Sequence, residues 1–259
     1  MLLSALKVSF YVAVATMSVG LLISLFFYFS QTPSHDQNWN FGQQKLPLVS
    51  ISGQDVVIQD LRDYDWLNES SVENYYDVSF SLDDIESLEV GVSHFSVHES
   101  IAHVFLVFKI KGQEDIGLSV EARRSAGEEY TITGGLKFDF DLAYFLTSKK
   151  DLLSIRQQRN ERVYLFKTKA TSQITQQLFL KLSSRINRLY DQPEFYHVLL
   201  KNCATQVVEA IESITDVRFP FYEKTFAPGF SGKALFDMGL IDTDLTSFEQ
   251  VKSASLVVF

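Results

Sequence analysis

Residues 195–214 read FYHVLLKNCATQVVEAIESI and contain Cys203, the only cysteine in the 259-residue chain. Ala204, Val207, Val208, Ile211 and Ile214 follow the i, i+3, i+4, i+7 spacing of an amphipathic helix with one buried face. Asn202 precedes them and is a residue type that caps helix N-termini by accepting from their unpaired N–H groups. Cys203 then stands on the inward face of the first turn, where free N–H groups and the positive end of the helix dipole favour an anion. A thiol placed there ionises more readily than a free one. Two readings follow, a nucleophile or a small buried hydrophobe.

A helix with one apolar face needs a second layer to bury it against. Upstream, Ser172–Tyr190 carries Ile174, Leu178, Leu182 and Ile186 at helical spacing, and Pro193 ends that helix. Glu161–Lys169 (ERVYLFKTK) and Lys137–Leu146 read as strands, beyond a break at Gly134 and Gly135. Ile101–Ile110, IAHVFLVFKI, is an apolar strand in which His103 shares a face with Phe105 and Val107. Ile116–Ala122, IGLSVEA, returns beside it after a turn at Gly112. A hairpin centred on that turn sets His103 opposite Glu121, with side chains about 5 Å apart. A core histidine bonded to a buried glutamate needs the same geometry. Tyr75–Phe80 and Ser87–Phe95 are also strand-like, and VSISGQDVVIQDL (49–61) is a hairpin about Ser52–Gln54. Beyond Ile214, an Ala-Pro-Gly turn at 227–229 leads to a short helix ending at Gly239.

With 46% hydrophobic residues the chain can bury one sizeable core. A formal charge of −9 without a basic stripe excludes nucleic acid as a partner. Asp55, Asp60, Asp63 and Asp65 lack the spacing of a calcium loop and read as a solvated edge. His94, His98 and His103 match no common zinc spacing, so neither metal nor cofactor is expected. Val8–Ser30 carries no charge and is long enough to cross a bilayer, which takes about 20 apolar residues. Its bulky FFYFSQ end lacks a small-residue cleavage site, so it reads as an uncleaved transmembrane anchor. Lys7 before it and Asp36 after it place the N-terminus in the cytoplasm and the body outside. The expected organisation is an anchor over 1–30, a linker over 31–45 with a solvated His35, and one exported domain over 46–259. Exported cysteines usually pair. A lone one is inert, bonded to another chain, or a working thiol.

NWNF, IAHVFLVF, SVEARRSAGEEY, PEFYHVLLKNCATQ and GLID, in that order over roughly Asn38–Asp242, resemble the Lnb N-terminal periplasmic domain family, named after a lipoprotein N-acyltransferase. The order of histidine on a strand, acid on the next strand and cysteine at a later helix start resembles the circularly permuted papain-like (NlpC-type) thiol enzymes. The resemblance implies an α+β fold, an antiparallel sheet with the cysteine helix packed on it. It implies Cys203 as nucleophile, His103 as general base and Glu121 orienting the imidazole. Asn202, the Cys203 N–H and neighbouring Tyr196 are then candidates around an oxyanion. Arg123 or Arg124 would hold an anionic head group, unless each is a solvated charge. The implied function is a thiol acyltransferase, anchored in the inner membrane, that takes an acyl group from a phospholipid or lipoprotein and passes it to a lipoprotein amine. A peptidase, amidase or lipase using the same triad is the alternative. The named acyltransferase carries further membrane helices after this domain, which makes a non-catalytic envelope binding or assembly protein a third reading. The triad requires Cys203 Sγ within about 4 Å of a His103 ring nitrogen, with Glu121 on the other nitrogen. A ring turned to the opposite face would leave His98 and His197 as the next candidates.

Overall fold

Segments rich in β-branched and aromatic residues form eight strands: β1 (Leu48–Ser52), β2 (Asp55–Arg62), β3 (Tyr75–Ser81), β4 (Ile85–His94), β5 (His103–Ile110), β6 (Ile116–Arg123), β7 (Asp141–Ser148) and β8 (Arg162–Lys167). The computed structural model describes Tyr11, residues 16–20, 32–67 and 74–259. The chain divides into two compact units, Met1–Ser34 and His35–Phe259. In the first, Tyr11 and 16–20 are helical. The expected Val8–Ser30 anchor lies largely outside the described residues, among which no helix is long and apolar enough to cross a membrane.

The second unit is an α+β fold on one eight-stranded sheet. The strands run in the order β1-β2-β7-β6-β5-β4-β8, with β3 paired to β2 off that path. Every pairing is antiparallel except the single parallel bridge Arg62↔Thr147 between β2 and β7. Among the described residues seven α-helices complete it: α1 (Ile132–Lys137), α2 (Lys149–Gln158), α3 (Ser172–Asp191), α4 (Cys203–Ile214), α5 (Phe221–Thr225), α6 (Ser231–Asp237) and α7 (Phe248–Ala254).

Period-2 alternation sorts the strand side chains into two cores. Val90, Val92, Val104, Leu106, Phe108, Leu118 and Val120 pack with Leu178 and Leu182 of α3 and with Cys203, Ala204 and Val207 of α4. The intervening residues of β5, Phe105 and Val107, point the other way and pack with Leu152 of α2. Gly91 makes this second face tight, because a Cβ there would lie 2.1 Å from the Phe105 ring.

Three expectations need correction. The strand placed at Lys137–Leu146 begins at Asp141, because Thr131 caps a short helix on the N–H of Gly134 and Phe138 ends it with φ 61°. The glycines do not break that helix but let it approach Phe140 and Tyr196. The linker at 31–45 is part of the fold from His35 onward: Trp39 and Gln43 are buried. His35 is not simply solvated, since its Nε2 lies 3.0 Å from the Leu189 carbonyl and its Nδ1 3.3 Å from an Arg123 nitrogen.

Candidate active site

The helix at Cys203 starts where the residue types require. Asn202 Oδ1 accepts from the N–H groups of Ala204 (2.9 Å) and Thr205 (2.8 Å), while Thr205 Oγ1 accepts from Asn202 N at 2.8 Å. This reciprocal cap satisfies the donors that a helix start leaves free. The Asn202 amide nitrogen donates to the Val198 carbonyl at 2.6 Å. Its Oδ1 and one of its two Nδ2 hydrogens are therefore engaged in holding the helix start. Tyr196 is buried near Cys203, its ring edge-on to Tyr130 at 6.2 Å.

On the hairpin, Phe105↔Ser119 and Leu106↔Leu118 are paired, the register of a turn at Gly112. The ladder stops there, so His103 and Glu121 lie two residues past its end, while β6 continues against β7 as far as Arg123↔Asp141. α4 docks at this open end. The backbone N–H groups of Val104, Ala204 and Cys203 itself are directed at the thiol and favour its anion, but burial outweighs them and pushes the thiol pKa above its ordinary value.

His103 turns to the α2 face. It pairs with Ser93 across the ladder and stacks on Phe105 at 6.3 Å, whereas Cys203 belongs to the core on the α3 and α4 side. The expected thiol–imidazole hydrogen bond is not formed; among the described residues none joins these two side chains. Ser119 also intervenes between His103 and Glu121: His103 Nε2 lies 2.7 Å from Ser119 Oγ, which donates to Glu121 Oε1 at 2.9 Å. Glu121 Oε2 accepts from Gln43 at 3.2 Å.

This relay fixes the tautomer. Burial alone would raise the Glu121 carboxyl, but the nearby Arg62 guanidinium, with His103, Arg156 and the Ser119 hydroxyl, holds it down at about 2. It is therefore an acceptor at neutral pH. A serine hydroxyl has one proton, here given to Glu121, so His103 Nε2 must donate and Nδ1 keeps the free lone pair. Burial and the charge of Arg156 push the His103 pKa down to about 3, so the ring rests neutral.

Both shifts set an acid limit on stability. The unfolded histidine titrates near 6.5 and the unfolded carboxyl near 4.5, above their folded values. Below these points the unfolded chain binds more protons, and stability falls with pH. Denaturant midpoints should therefore drop as pH is lowered from about 7 through 5, and His103→Gln should flatten that slope between pH 6.5 and 5. An unchanged slope in His103→Gln would show that His103 is not buried neutral.

The other candidates are placed elsewhere. His98 is exposed in the loop after β4, and His197 Nδ1 accepts from Leu199 and Leu200 N–H groups at 3.2 and 3.3 Å. His94 faces Tyr164 on the α3/α4 side. Arg123 is buried, 3.9 Å over the Trp39 ring, and donates to the Gln43 and Gln44 carbonyls at 2.8 and 2.7 Å. It ties the 35–45 segment to β6 instead of facing a ligand. Arg124 is partly buried and its backbone N–H donates to Gln43 Oε1 at 2.9 Å.

Sequence reasoning missed three contributors. Ser119 was legible from its alternation with Glu121 on β6. Arg62 and Arg156, which set the field at the relay, come from remote segments that no local pattern connects.

The family model for the Lnb N-terminal periplasmic domain matches residues 71–226. The chain belongs to this family. The match spans His103, Ser119, Glu121 and Cys203, and the domain is periplasmic as that family is described. No curated protein and no solved structure matches the chain.

Proposed function

We propose that this Lnb-type domain is a periplasmic thiol acyltransferase, held at the inner membrane by the uncharged Val8–Ser30 run. Cys203 is its nucleophile and His103 Nδ1 its base, in a circularly permuted papain-like arrangement. The observation that carries this reading is the relay: Glu121 and Ser119 fix the Nε2–H tautomer, which leaves Nδ1 unprotonated on the residue beside Val104, whose N–H meets the thiol.

In the first step the Cys203 S–H proton passes to His103 Nδ1 while sulfur bonds to an ester carbonyl carbon. The C–O bond then breaks and the departing alcohol takes that proton, leaving a thioester. A lipoprotein α-amine attacks the thioester, gives its proton to Nδ1, and an amide forms as the C–S bond breaks and the thiolate is reprotonated. The ring must swing across the open end of the β5–β6 ladder to reach the thiol. The three N–H groups around sulfur are the donors available to the anions formed there.

Ser119→Ala should lower the rate of acyl-enzyme formation roughly tenfold, less than the 10²–10⁴ of the base itself, because Ser119 orients the ring without moving the proton. A stopped-flow assay across pH would also show the kinetic base titration displaced, which a purely structural loss would not produce. Wild-type rates in Ser119→Ala would remove the relay from the mechanism. Transfer itself is tested by mass spectrometry of lipoprotein N-terminal peptides from cells in which this chain is the sole N-acyltransferase.

One observation favours a second reading. The thiol and imidazole start from opposite faces of the sheet, and burial keeps the thiol protonated, as in an envelope binding protein with no chemistry. Cys203→Ala and His103→Ala chains that retain full cellular function would establish that reading.

A further inference from the structure

The stretch 218–230, RFPFYEKTFAPGF, places apolar side chains outward where a soluble surface would be polar. Phe221, Tyr222, Phe226 and Phe230 are 67%, 57%, 50% and 39% exposed. Their rings contact one another: Phe226 lies 5.7 Å from Phe221 and 6.3 Å from Tyr222. Gly229 fastens a second loop to this one. Its N–H donates to the Ser100 carbonyl at 3.0 Å, and a Cβ there would lie 1.8 Å from the Glu99 carbonyl oxygen. That second loop carries Phe95 and Val97, 48% and 93% exposed. Arg218 is exposed at the start of the stretch, in a chain whose net charge is −9, while Lys233 beyond its end is paired with Asp237 at 2.6 Å.

We infer that this aromatic surface is the face by which the domain sits in the headgroup region of the bilayer. Aromatic rings favour that layer, and an exposed cation beside them, Arg218, is drawn to anionic lipid. The uncharged run ends at Ser30 and the folded unit begins at His35, so the membrane is the apolar phase within reach.

The inference rests on the membrane-tethered part of the proposed function and not on its chemistry. The full-length chain with Cys203→Ser and Phe226→Cys, labelled with an environment-sensitive NBD dye, would be reconstituted into phosphatidylethanolamine–phosphatidylglycerol vesicles carrying nitroxide lipids. Val57→Cys is the reference, exposed on β2 and far along the sheet order from β4 and β5, which the 228–230 turn contacts. Emission from position 226 should shift to the blue and be quenched several-fold more than from position 57. Equal quenching at the two sites, or a shielded but unquenched dye at 226, would overturn the inference, the latter by showing a protein cover. Tyr222→Cys serves the same prediction if the Phe226 variant does not fold. Quenching at position 226 with no acyl transfer by the unlabelled wild-type chain would remove the chemistry and leave the surface, and transfer by the wild type without quenching at position 226 the reverse.

Discussion

Cys203→Ala should abolish N-acylation of lipoproteins in cells that depend on this chain, a loss on the order of 10⁴-fold or more, because no second nucleophile can carry the thioester. The wild-type protein, quenched in acid during turnover, should carry an acyl mass on the peptide containing Cys203, and hydroxylamine should release it. Cys203→Ser should show neither the labile adduct nor appreciable transfer, while offering an acceptor to the Val104 N–H in place of sulfur. The pair thus separates chemistry from packing. Undiminished acylation in Cys203→Ala would sink the acyltransferase reading and leave the non-catalytic one.

Asp151→Ala should be the most damaging single change to the fold. Asp151 is fully buried and receives both arms of Arg62, at 2.9 and 2.8 Å, with the Tyr64 N–H at 2.8 Å and the Trp66 indole at 3.2 Å. Removing one partner of a buried pair leaves the other charge without compensation, a cost of about 3–5 kcal/mol. The Arg62 bond to the Gly42 carbonyl at 2.6 Å offsets only part of that, since a carbonyl carries no net charge. Denaturant titration should show the unfolding free energy falling by that amount, through a lower midpoint at an unchanged slope. A loss below about 1 kcal/mol would mean that water reaches Arg62 once the carboxylate is gone.

The legible parts of this chain were those whose information is local. The 3.6-residue spacing of Ala204, Val207 and Ile211 placed α4, and Leu178, Leu182 and Ile186 placed the buried face of α3. Gly112 at the hairpin turn set the β5–β6 register that puts Ser119 opposite Phe105. Alternation also assigned His103 to the Phe105 face correctly. What it could not reveal is which helix covers that face. The Lys149–Gln158 helix has a weak apolar stripe, because its inward side carries Asp151, Ser154 and Arg156 beside Leu152 and Ile155. A polar inward side is readable only when its partners, Arg62 on β2 and Glu121 on β6, are known to meet it. The thiol was expected beside the His103 ring, but a helix start predicts direction along its own axis, not which side of a remote sheet it joins.

Arg62 belongs to two circuits at once. It completes the buried pair with Asp151, and its charge is the leading attraction that keeps Glu121 ionised at the end of the His103 relay. Scaffold and relay therefore draw on one cation, and the energetic effects of substitutions at Asp151 and at Glu121 will not be additive. A chain relieved of Asp151 would leave Arg62 more strongly committed to Glu121, so a change that weakens the fold would also retune the basicity of an imidazole two residues away along the relay.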